Sequence, residues 1–298
     1  MADYEALEAL FAERLLNLPD PQFKQMLKEE LMQTLDVKTN HVREGFHSVT
    51  PYLITRPAAS VIEFMKGAFG ATEKMRMPTP EGTIMHAEVH VEDSVIEISD
   101  GSDKYPANPT SLHIYVRDAD AAYERALASG GVSLFAPADR EYGDREAGVT
   151  DPGGNHWYIA THKQRTGSHR PEGLHAITPY LHPKSVRELI GFLQKVLAAE
   201  ELFSHPNADG TIAHAKVRIG DSMIEMSEAH GEWQPMPASI HVYVPDADEF
   251  YNRALQAGGK SVQPLADQPY GERSGGIEDP WGNRWWIATF TGKMQDPG

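Results

Sequence analysis

The 298-residue sequence contains no cysteine, which excludes disulfide bonds, thiolate-bound zinc and a cysteine nucleophile. It also lacks an apolar run long enough to cross a membrane and an N-terminal segment with the pattern of a secretory signal. Basic residues are scarce, since 27 lysines and arginines face 43 aspartates and glutamates and leave a net charge of −16. That charge argues against nucleic acid and anionic membrane surfaces as partners. We therefore expect a cytoplasmic protein whose partner is a small molecule.

The sequence is dominated by an internal repeat. His47-Ser-Val-Thr-Pro-Tyr-Leu returns as His175-Ala-Ile-Thr-Pro-Tyr-Leu, and the offset of 128 residues stays constant along the two copies. A gapless repeat of this length predicts two copies of one domain. We place the domains at residues 46–163 and 174–291, joined by a linker rich in Arg, Gly and Ser.

Residues 1–45 precede the repeat and carry two apolar stripes at helical spacing. The second stripe begins after Asp20-Pro21, which is typical of an N-cap followed by proline at the first helical position. These features predict a helical hairpin. The hairpin either packs on the body of the protein or packs on a second subunit, in which case the protein is a homodimer. The alternative is that it forms a lid over a binding cavity.

Each repeat has the pattern of a strand, a helix and three strands, followed by the same order again. In the first copy the helices are predicted at residues 58–69 and 118–129, each followed by glycine. The fold class is therefore α+β, with two βαβββ modules in each repeat.

A predicted β-hairpin from Gly82 to Ser99 concentrates ligand-type side chains. With Glu92-Asp93 as its turn, the two-residue alternation of strands puts one polar set on a single face: His86, Glu88, His90 and Glu97. The apolar residues between them face the predicted helices. In the second copy the histidine and glutamate recur as His214 and Glu225, whereas Lys216 replaces Glu88.

Four motifs of the first copy resemble the vicinal oxygen chelate superfamily, which includes glyoxalase I, bleomycin-resistance proteins and extradiol dioxygenases. The resemblance covers residues 47–162 and 174–290 and is strongest to the PhnB-like branch. The motifs are Ser94-Val-Ile-Glu97, Leu112-His-Ile-Tyr-Val-Arg-Asp-Ala-Asp120, Ala138-Asp-Arg-Glu-Tyr-Gly-Asp-Arg145 and Asp151-Pro-Gly-Gly-Asn-His-Trp-Tyr-Ile-Ala-Thr-His162.

This resemblance implies that each repeat curves its mixed sheet into one cup, and that the cup holds a divalent metal. The four ligand positions of the superfamily fall on one set per copy: Thr50, Glu97, Ser111 and Tyr158, and then Thr178, Glu225, Ser239 and Trp286. Only the glutamates are good metal ligands, so the strict pattern is broken in both copies.

Histidines close to these positions suggest displaced metal sites. The candidate ligand sets are His86, Glu97 and His113 in the first copy and His214, Glu225 and His241 in the second. Two imidazoles and one carboxylate suit Fe(II), Zn(II), Mn(II) or Ni(II). The alternative is a buried network of histidines hydrogen-bonded to glutamate and tyrosine.

Other polar and aromatic residues are candidates for ligand contacts: Tyr115, Tyr158 and Trp286 within the cups, and Arg145 and Arg273 on a loop. The arginines either grip an anionic ligand or form ion pairs on their own domain. Tyr52 and Tyr180 are either general acids or cavity walls.

Three functions are compatible with these features. The first is metal-assisted chemistry of the glyoxalase or dioxygenase type, with Glu97 or Glu225 as ligand or proton carrier. The second is metal-free sequestration of a drug or metabolite, as in bleomycin-resistance proteins. The third is an interaction module that uses the N-terminal segment.

Overall fold

The computed structural model describes residues 41–163, 168–231 and 233–292, and the elements below belong to the compact unit that begins at Val42. The predicted N-terminal helical hairpin lies outside the described residues. Within them, no helix is both long and apolar enough to span a bilayer.

Four βαβββ modules follow one another, which confirms the predicted fold class. Module 1 contains β1 (Val49–Thr55), α1 (Ala58–Phe69), β2 (Thr72–Pro78), β3 (Ile84–Val91) and β4 (Ser94–Asp100). Module 2 contains β5 (Ser111–Tyr115), α2 (Ala119–Ala128), β6 (Val132–Asp139), β7 (Asp144–Thr150) and β8 (His156–His162). Module 3 contains β9 (Ile177–Leu181), α3 (Val186–Leu197), β10 (Glu200–Pro206), β11 (Ile212–Ile219) and β12 (Ser222–Met226). Module 4 contains β13 (Ser239–Tyr243), α4 (Ala247–Gln256), β14 (Lys260–Gln268), β15 (Glu272–Glu278) and β16 (Arg284–Phe290).

Each eight-stranded sheet joins modules from different repeats. One sheet has the order β14-β15-β16-β13-β1-β4-β3-β2, and the other has the order β10-β11-β12-β9-β5-β8-β7-β6. Strand β1 pairs antiparallel with β13, and β5 pairs antiparallel with β9. The expectation of one cup per repeat is therefore wrong, since each sheet contains one module from each repeat. This exchange is possible because β1 and β9 are copies and offer the same edge to a partner strand. We call the two faces cup 1/4 and cup 2/3 after their modules.

The apolar cores, in contrast, follow the repeats. One core lies beneath α1 and α2 and contains Phe64 and Trp157, whereas the other lies beneath α3 and α4 and contains Leu193 and Trp285. Both tryptophans are almost fully buried. Each indole N–H donates a hydrogen bond of 2.9 Å to an aspartate of the preceding turn. Each repeat thus has its own core while each cup is built by both repeats.

The predicted hairpin register is confirmed. Glu88 lies across from Glu97, and His90 lies across from Val95. Glu92, in the turn, has a φ of 51°, which an acidic residue tolerates in a tight hairpin turn. The second hairpin has the same register, which places Lys216 across from Glu225.

Candidate functional site

Cup 2/3 contains a cavity of about 1070 Å³. This volume lies just above the usual range of about 300–1,000 Å³ for small-molecule sites. Its wall contains seven aromatic side chains: Tyr115, Phe135, Tyr142, Tyr158, Tyr180, Phe203 and Trp233. It also contains six imidazoles: His113, His162, His182, His205, His214 and His230. Such a wall offers flat apolar surface together with several proton donors and acceptors.

Glu225 is the buried anionic centre of cup 2/3, with 1% of its surface exposed. One carboxylate oxygen lies 2.5 Å from Nδ1 of His113, and the other lies 2.8 Å from Nζ of Lys216. Burial alone would raise the pKa of Glu225, but the charges of His113 and Lys216 hold that pKa well below its ordinary value. The pKa of His113 is raised in turn, because the charge of Glu225 outweighs the effect of burial.

Asp144 organises a second group on the same cavity wall. Its carboxylate is buried and accepts a hydrogen bond of 2.8 Å from the Tyr115 hydroxyl. Its other oxygen lies 2.5 Å from Nδ1 of His162. We did not single out His162 from the sequence. The signal was present, because His162 on β8 has the same strand parity as Tyr158.

A third group on the wall, around His182, is aromatic. The rings of His182 and Trp233 are nearly parallel, with centroids 6.0 Å apart. His182 also contacts the Tyr158 hydroxyl at 2.9 Å and the Ser227 hydroxyl at 3.0 Å. Burial lowers the pKa of His182 to about 4, so this imidazole is neutral at pH 7. A planar ligand therefore meets stacking surface here without a net charge.

Cup 1/4 contains an imidazole between two carboxylates. Nδ1 of His241 lies 2.8 Å from Glu97, and Nε2 lies 3.5 Å from Glu272. All three residues are buried, and Tyr243 donates a hydrogen bond of 2.6 Å to Glu272. Burial lowers the pKa of His241, but the charges of Glu97 and Glu272 outweigh it and raise that pKa to about 9. The imidazole is therefore protonated at pH 7.

Arg43, which precedes the first repeat, reaches into the same cup. Its guanidinium lies 2.5 Å from Glu88 and 4.8 Å from the ring centre of Phe46. Burial would raise the pKa of Glu88, but hydrogen bonds from His86 and Arg43 lower it below its ordinary value. Nε2 of His86 lies 3.7 Å from Glu88 and 3.9 Å from Glu97.

The model of the Glyoxalase/Bleomycin resistance protein/Dioxygenase superfamily matches residues 40–159 and 175–287, which is most of the sequence and both repeats. The chain belongs to this superfamily.

The chain is similar to a protein of known sequence and to solved structures. An uncharacterised protein of Mycobacterium bovis is 35% identical over 123 residues, which cover 38% of this chain and 81% of the relative. Among solved structures, glyoxalase I from Zea mays superposes with a TM-score of 0.60 at 14% identity, covering 81% of this chain and 92% of that protein. A putative dioxygenase from Bacillus subtilis gives 0.51 at 14% identity, covering 83% and 85%. At such identities the structural likeness concerns the fold alone.

The superfamily's metal-ligand positions do not fit a metal in this chain. Because the modules are exchanged, the positions meet as two new sets: Thr50, Glu97, Ser239 and Trp286 in cup 1/4, and Thr178, Glu225, Ser111 and Tyr158 in cup 2/3. Each set has one carboxylate and no imidazole. His241 lies across from Thr50, and His113 lies across from Thr178. In both cups the imidazole of this histidine therefore contacts the glutamate at the superfamily ligand position.

The predicted displaced ligand sets are also divided between the cups. His113 does not meet His86 and Glu97, because it lies in cup 2/3 against Glu225. His241 correspondingly meets Glu97 in place of Glu225. Both histidine–glutamate pairs thus form across the repeats, as the exchange of modules requires.

The tyrosine and tryptophan candidates have definite neighbours. The hydroxyl of Tyr52 lies 3.4 Å from Nδ1 of His86, and that of Tyr180 lies 3.4 Å from Nδ1 of His214. Burial raises the pKa of both tyrosines, so their hydroxyls are neutral at pH 7. Trp286 projects into cup 1/4, where its ring centre lies 6.0 Å from that of Tyr52.

The arginine and serine candidates are engaged within the protein. Arg145 pairs with Asp120 and Asp139. Arg273 repeats this with the equivalent aspartates 128 residues later, Asp248 and Asp267. The hydroxyl of Ser111 donates to the Met236 sulfur at 3.2 Å. These arginine contacts are the ion pairs on their own domain that the sequence left open.

A cluster of possible ligand atoms also lies at the turn between β3 and β4 and at the segments that lead into β1 and β9. Among the described residues, His47, Asp93 and His175 bring one such atom each within 4.8 Å of one another. The two imidazole rings, however, are stacked 3.4 Å apart at an angle of 15°. A metal must lie close to the plane of each ring that binds it, and two parallel planes at this spacing share no such point. The cluster is therefore a stacked histidine pair and not a chelating site.

Proposed function

We propose that the protein binds a planar aromatic small molecule in cup 2/3 without a metal ion. The observation that carries this proposal is the cavity of about 1070 Å³ with seven aromatic side chains in its wall. Pockets of this kind bury most of a small ligand, and their aromatic rings stack on planar groups. This is the sequestering function expected of a bleomycin-resistance-like member.

Lys216 supports the absence of a metal from this cup. Its ammonium group lies 2.8 Å from the glutamate at the superfamily ligand position. A divalent cation at Glu225 would have to displace this ammonium and would be repelled by protonated His113. The proposed site therefore relies on stacking and hydrogen bonding.

Titration with 2-naphthol by isothermal calorimetry tests this function. We expect saturable binding of one equivalent that EDTA does not change, and a loss of about tenfold in affinity in Trp233→Ala, since an aromatic contact of this kind contributes roughly 0.5–1.5 kcal/mol beyond its area. Tyr105→Ala is the matched control, because Tyr105 holds the equivalent position in cup 1/4. Equal weakening in both variants, or no saturable binding, would contradict the proposal.

Cup 1/4 is the second candidate, for metal-dependent chemistry of the glyoxalase or dioxygenase type. The observation that favours it is the approach of His86 Nε2 to within 3.9 Å of both Glu88 and Glu97. Arg43 pairs with Glu88, and protonated His241 contacts one oxygen of Glu97, so the other oxygen of Glu97, 3.9 Å from His86, is the one that a metal would take. Imidazole and carboxylate are donor types that zinc and nickel accept, although a catalytic zinc site usually has three protein ligands and this one offers two.

Metal analysis separates the two candidates. If cup 1/4 holds a metal, protein purified without added metal should contain about one equivalent, or should bind zinc alone in calorimetry. His86→Gln should then weaken zinc binding at least tenfold, whereas His214→Gln, the equivalent change in cup 2/3, should not. Protein that takes up neither zinc nor nickel would remove this second candidate and leave the first intact.

A further inference from the structure

Cup 2/3 contains a carboxylate–imidazole pair that ligand binding alone does not require. Asp144 is buried, with 3% of its surface exposed, and it engages Nδ1 of His162 at 2.5 Å. The His162 side chain remains 11% exposed and lines the cavity. Its Nε2 has no hydrogen-bond partner in the part of the chain that the structure describes. The free ring nitrogen is thus available to a molecule in the cavity.

The carboxylate fixes the orientation of the imidazole. In the neutral ring, a carboxylate on Nδ1 favours the tautomer with its proton on Nδ1, which places the lone pair on Nε2. The Tyr115 hydroxyl donates to the same carboxylate and holds it in place. An imidazole oriented in this way by a third group has the arrangement of a general base.

The equivalent positions of cup 1/4 provide an internal comparison. Phe290 stands where cup 2/3 has His162, and Glu272 stands where it has Asp144. The longer Glu272 side chain turns to His241, at 3.5 Å, and the phenyl ring of Phe290 packs in the apolar cluster with Tyr243. The imidazole of His162 therefore belongs to cup 2/3, which contains the aromatic cavity, and cup 1/4 has a phenyl ring at the equivalent position.

We infer that cup 2/3 is also a proton-transfer site, in which His162 is the catalytic base and Asp144 is its positioning residue. This inference rests on the proposed binding of an aromatic molecule. The substrate class is a ketone that carries an aromatic ring on the carbon next to its carbonyl, so that the C–H bond on this carbon is acidic. That C–H bond breaks, the proton forms a bond to Nε2 of His162, and the electron pair moves onto the carbonyl oxygen. Return of the proton completes an exchange or an isomerisation, and no oxidant or other co-reactant is needed.

Two cationic side chains of the cavity can stabilise the negative charge that this step places on the carbonyl oxygen of the substrate. Arg140 and Lys216 both line the cavity. Arg140 contacts Glu146 at 3.4 Å, and its Nε is buried without a partner among the described residues. A developing oxyanion is stabilised by cations and N–H groups that are already in place. The cavity thus offers a base for the proton and positive charge for the electron pair.

Hydrogen–deuterium exchange of phenylacetone, followed by proton NMR in D₂O, tests the inference. We expect the protein to exchange the benzylic hydrogens about 100-fold faster than the His162→Phe variant does, which is typical of one general base. His162→Phe copies the residue of cup 1/4 and should fold. His90→Phe is the control, because it removes an imidazole outside this cavity. In His162→Gly, free imidazole should restore exchange, which a merely structural role would not allow.

Binding of the same compound is measured by calorimetry in each variant. If phenylacetone binds but His162→Phe exchanges as fast as the unaltered protein, the inference is wrong while the proposed function stands. If phenylacetone does not bind while 2-naphthol does, the inference is wrong and the proposed function stands; if neither compound binds, both are wrong. Asp144→Asn should slow exchange with little change in binding, and unchanged exchange in that variant would remove the role of Asp144.

Discussion

Replacement of Glu225 by alanine is expected to lower the free energy of unfolding by about 3–5 kcal/mol, which is the usual cost of breaking a buried ion pair from one side. Glu225 is 1% exposed, and both of its oxygens contact cationic groups. Without it, the Lys216 ammonium and the His113 imidazole lose the charge that compensates them in a poorly solvated site. Urea unfolding at pH 7, followed by circular dichroism, measures the loss.

Removal of the opposing charges should recover much of this loss. Glu225→Leu combined with Lys216→Met leaves His113 without a carboxylate partner at Nδ1, so burial lowers its pKa and the imidazole becomes neutral. Glu201→Ala, at an exposed glutamate of β10, is the control and should change stability by less than about 0.5 kcal/mol. If Glu225→Ala unfolds at the same urea concentration as Glu201→Ala, the buried charge cluster does not stabilise cup 2/3.

The modules were predictable from sequence because their signals are local. Hydrophobic periodicity and the glycine after each helix mark α1 at Ala58–Phe69, with the bounds that the structure has. The register of the β3–β4 hairpin follows from its acidic turn and from strand alternation. Both features depend on residues that are close in sequence, so no knowledge of the sheet order is required.

The pairing of modules was not predictable, for a specific reason. Modules 1 and 3 are copies, so β5 finds equivalent edges on β1 and β9, and nothing local distinguishes them. A histidine on β5 is therefore as compatible with Glu97 as with Glu225, and the structure pairs His113 with Glu225. The ligand types in the candidate sites follow from sequence, but their combination depends on long-range contacts.

Two residues were missed for different reasons. Arg43 lies outside the repeat, so no equivalent position drew attention to it, although it neutralises Glu88. His162 was visible in a family motif at the end of the last strand. Its strand parity with Tyr158 and its replacement by Phe290 in the second copy were sufficient to place it in one cup. Comparison of the two copies position by position therefore carries more functional information than either copy alone.

Stability should fall by about 3 kcal/mol between pH 6.5 and pH 9 through His241 alone, since each pKa unit corresponds to roughly 1.4 kcal/mol. The ordinary imidazole pKa is 6.5, and the charges of Glu97 and Glu272 raise that of His241 to about 9 despite burial. Below pH 6.5 the imidazole is protonated in both the folded and the unfolded chain, so the contribution is complete. As pH rises towards 9, the unfolded chain releases this proton first, and the contribution is lost.

Urea unfolding at half-unit pH intervals in EDTA measures this dependence. His241→Gln should be less stable at pH 6.5 and should lose less stability than the unaltered protein as pH rises to 9. His113 contributes in the same direction, because its pKa is also raised, and it keeps a residual slope in that variant. His205→Gln, at an exposed imidazole, should leave the slope unchanged. Parallel curves for the unaltered protein and His241→Gln would contradict the raised pKa of His241 in the folded state.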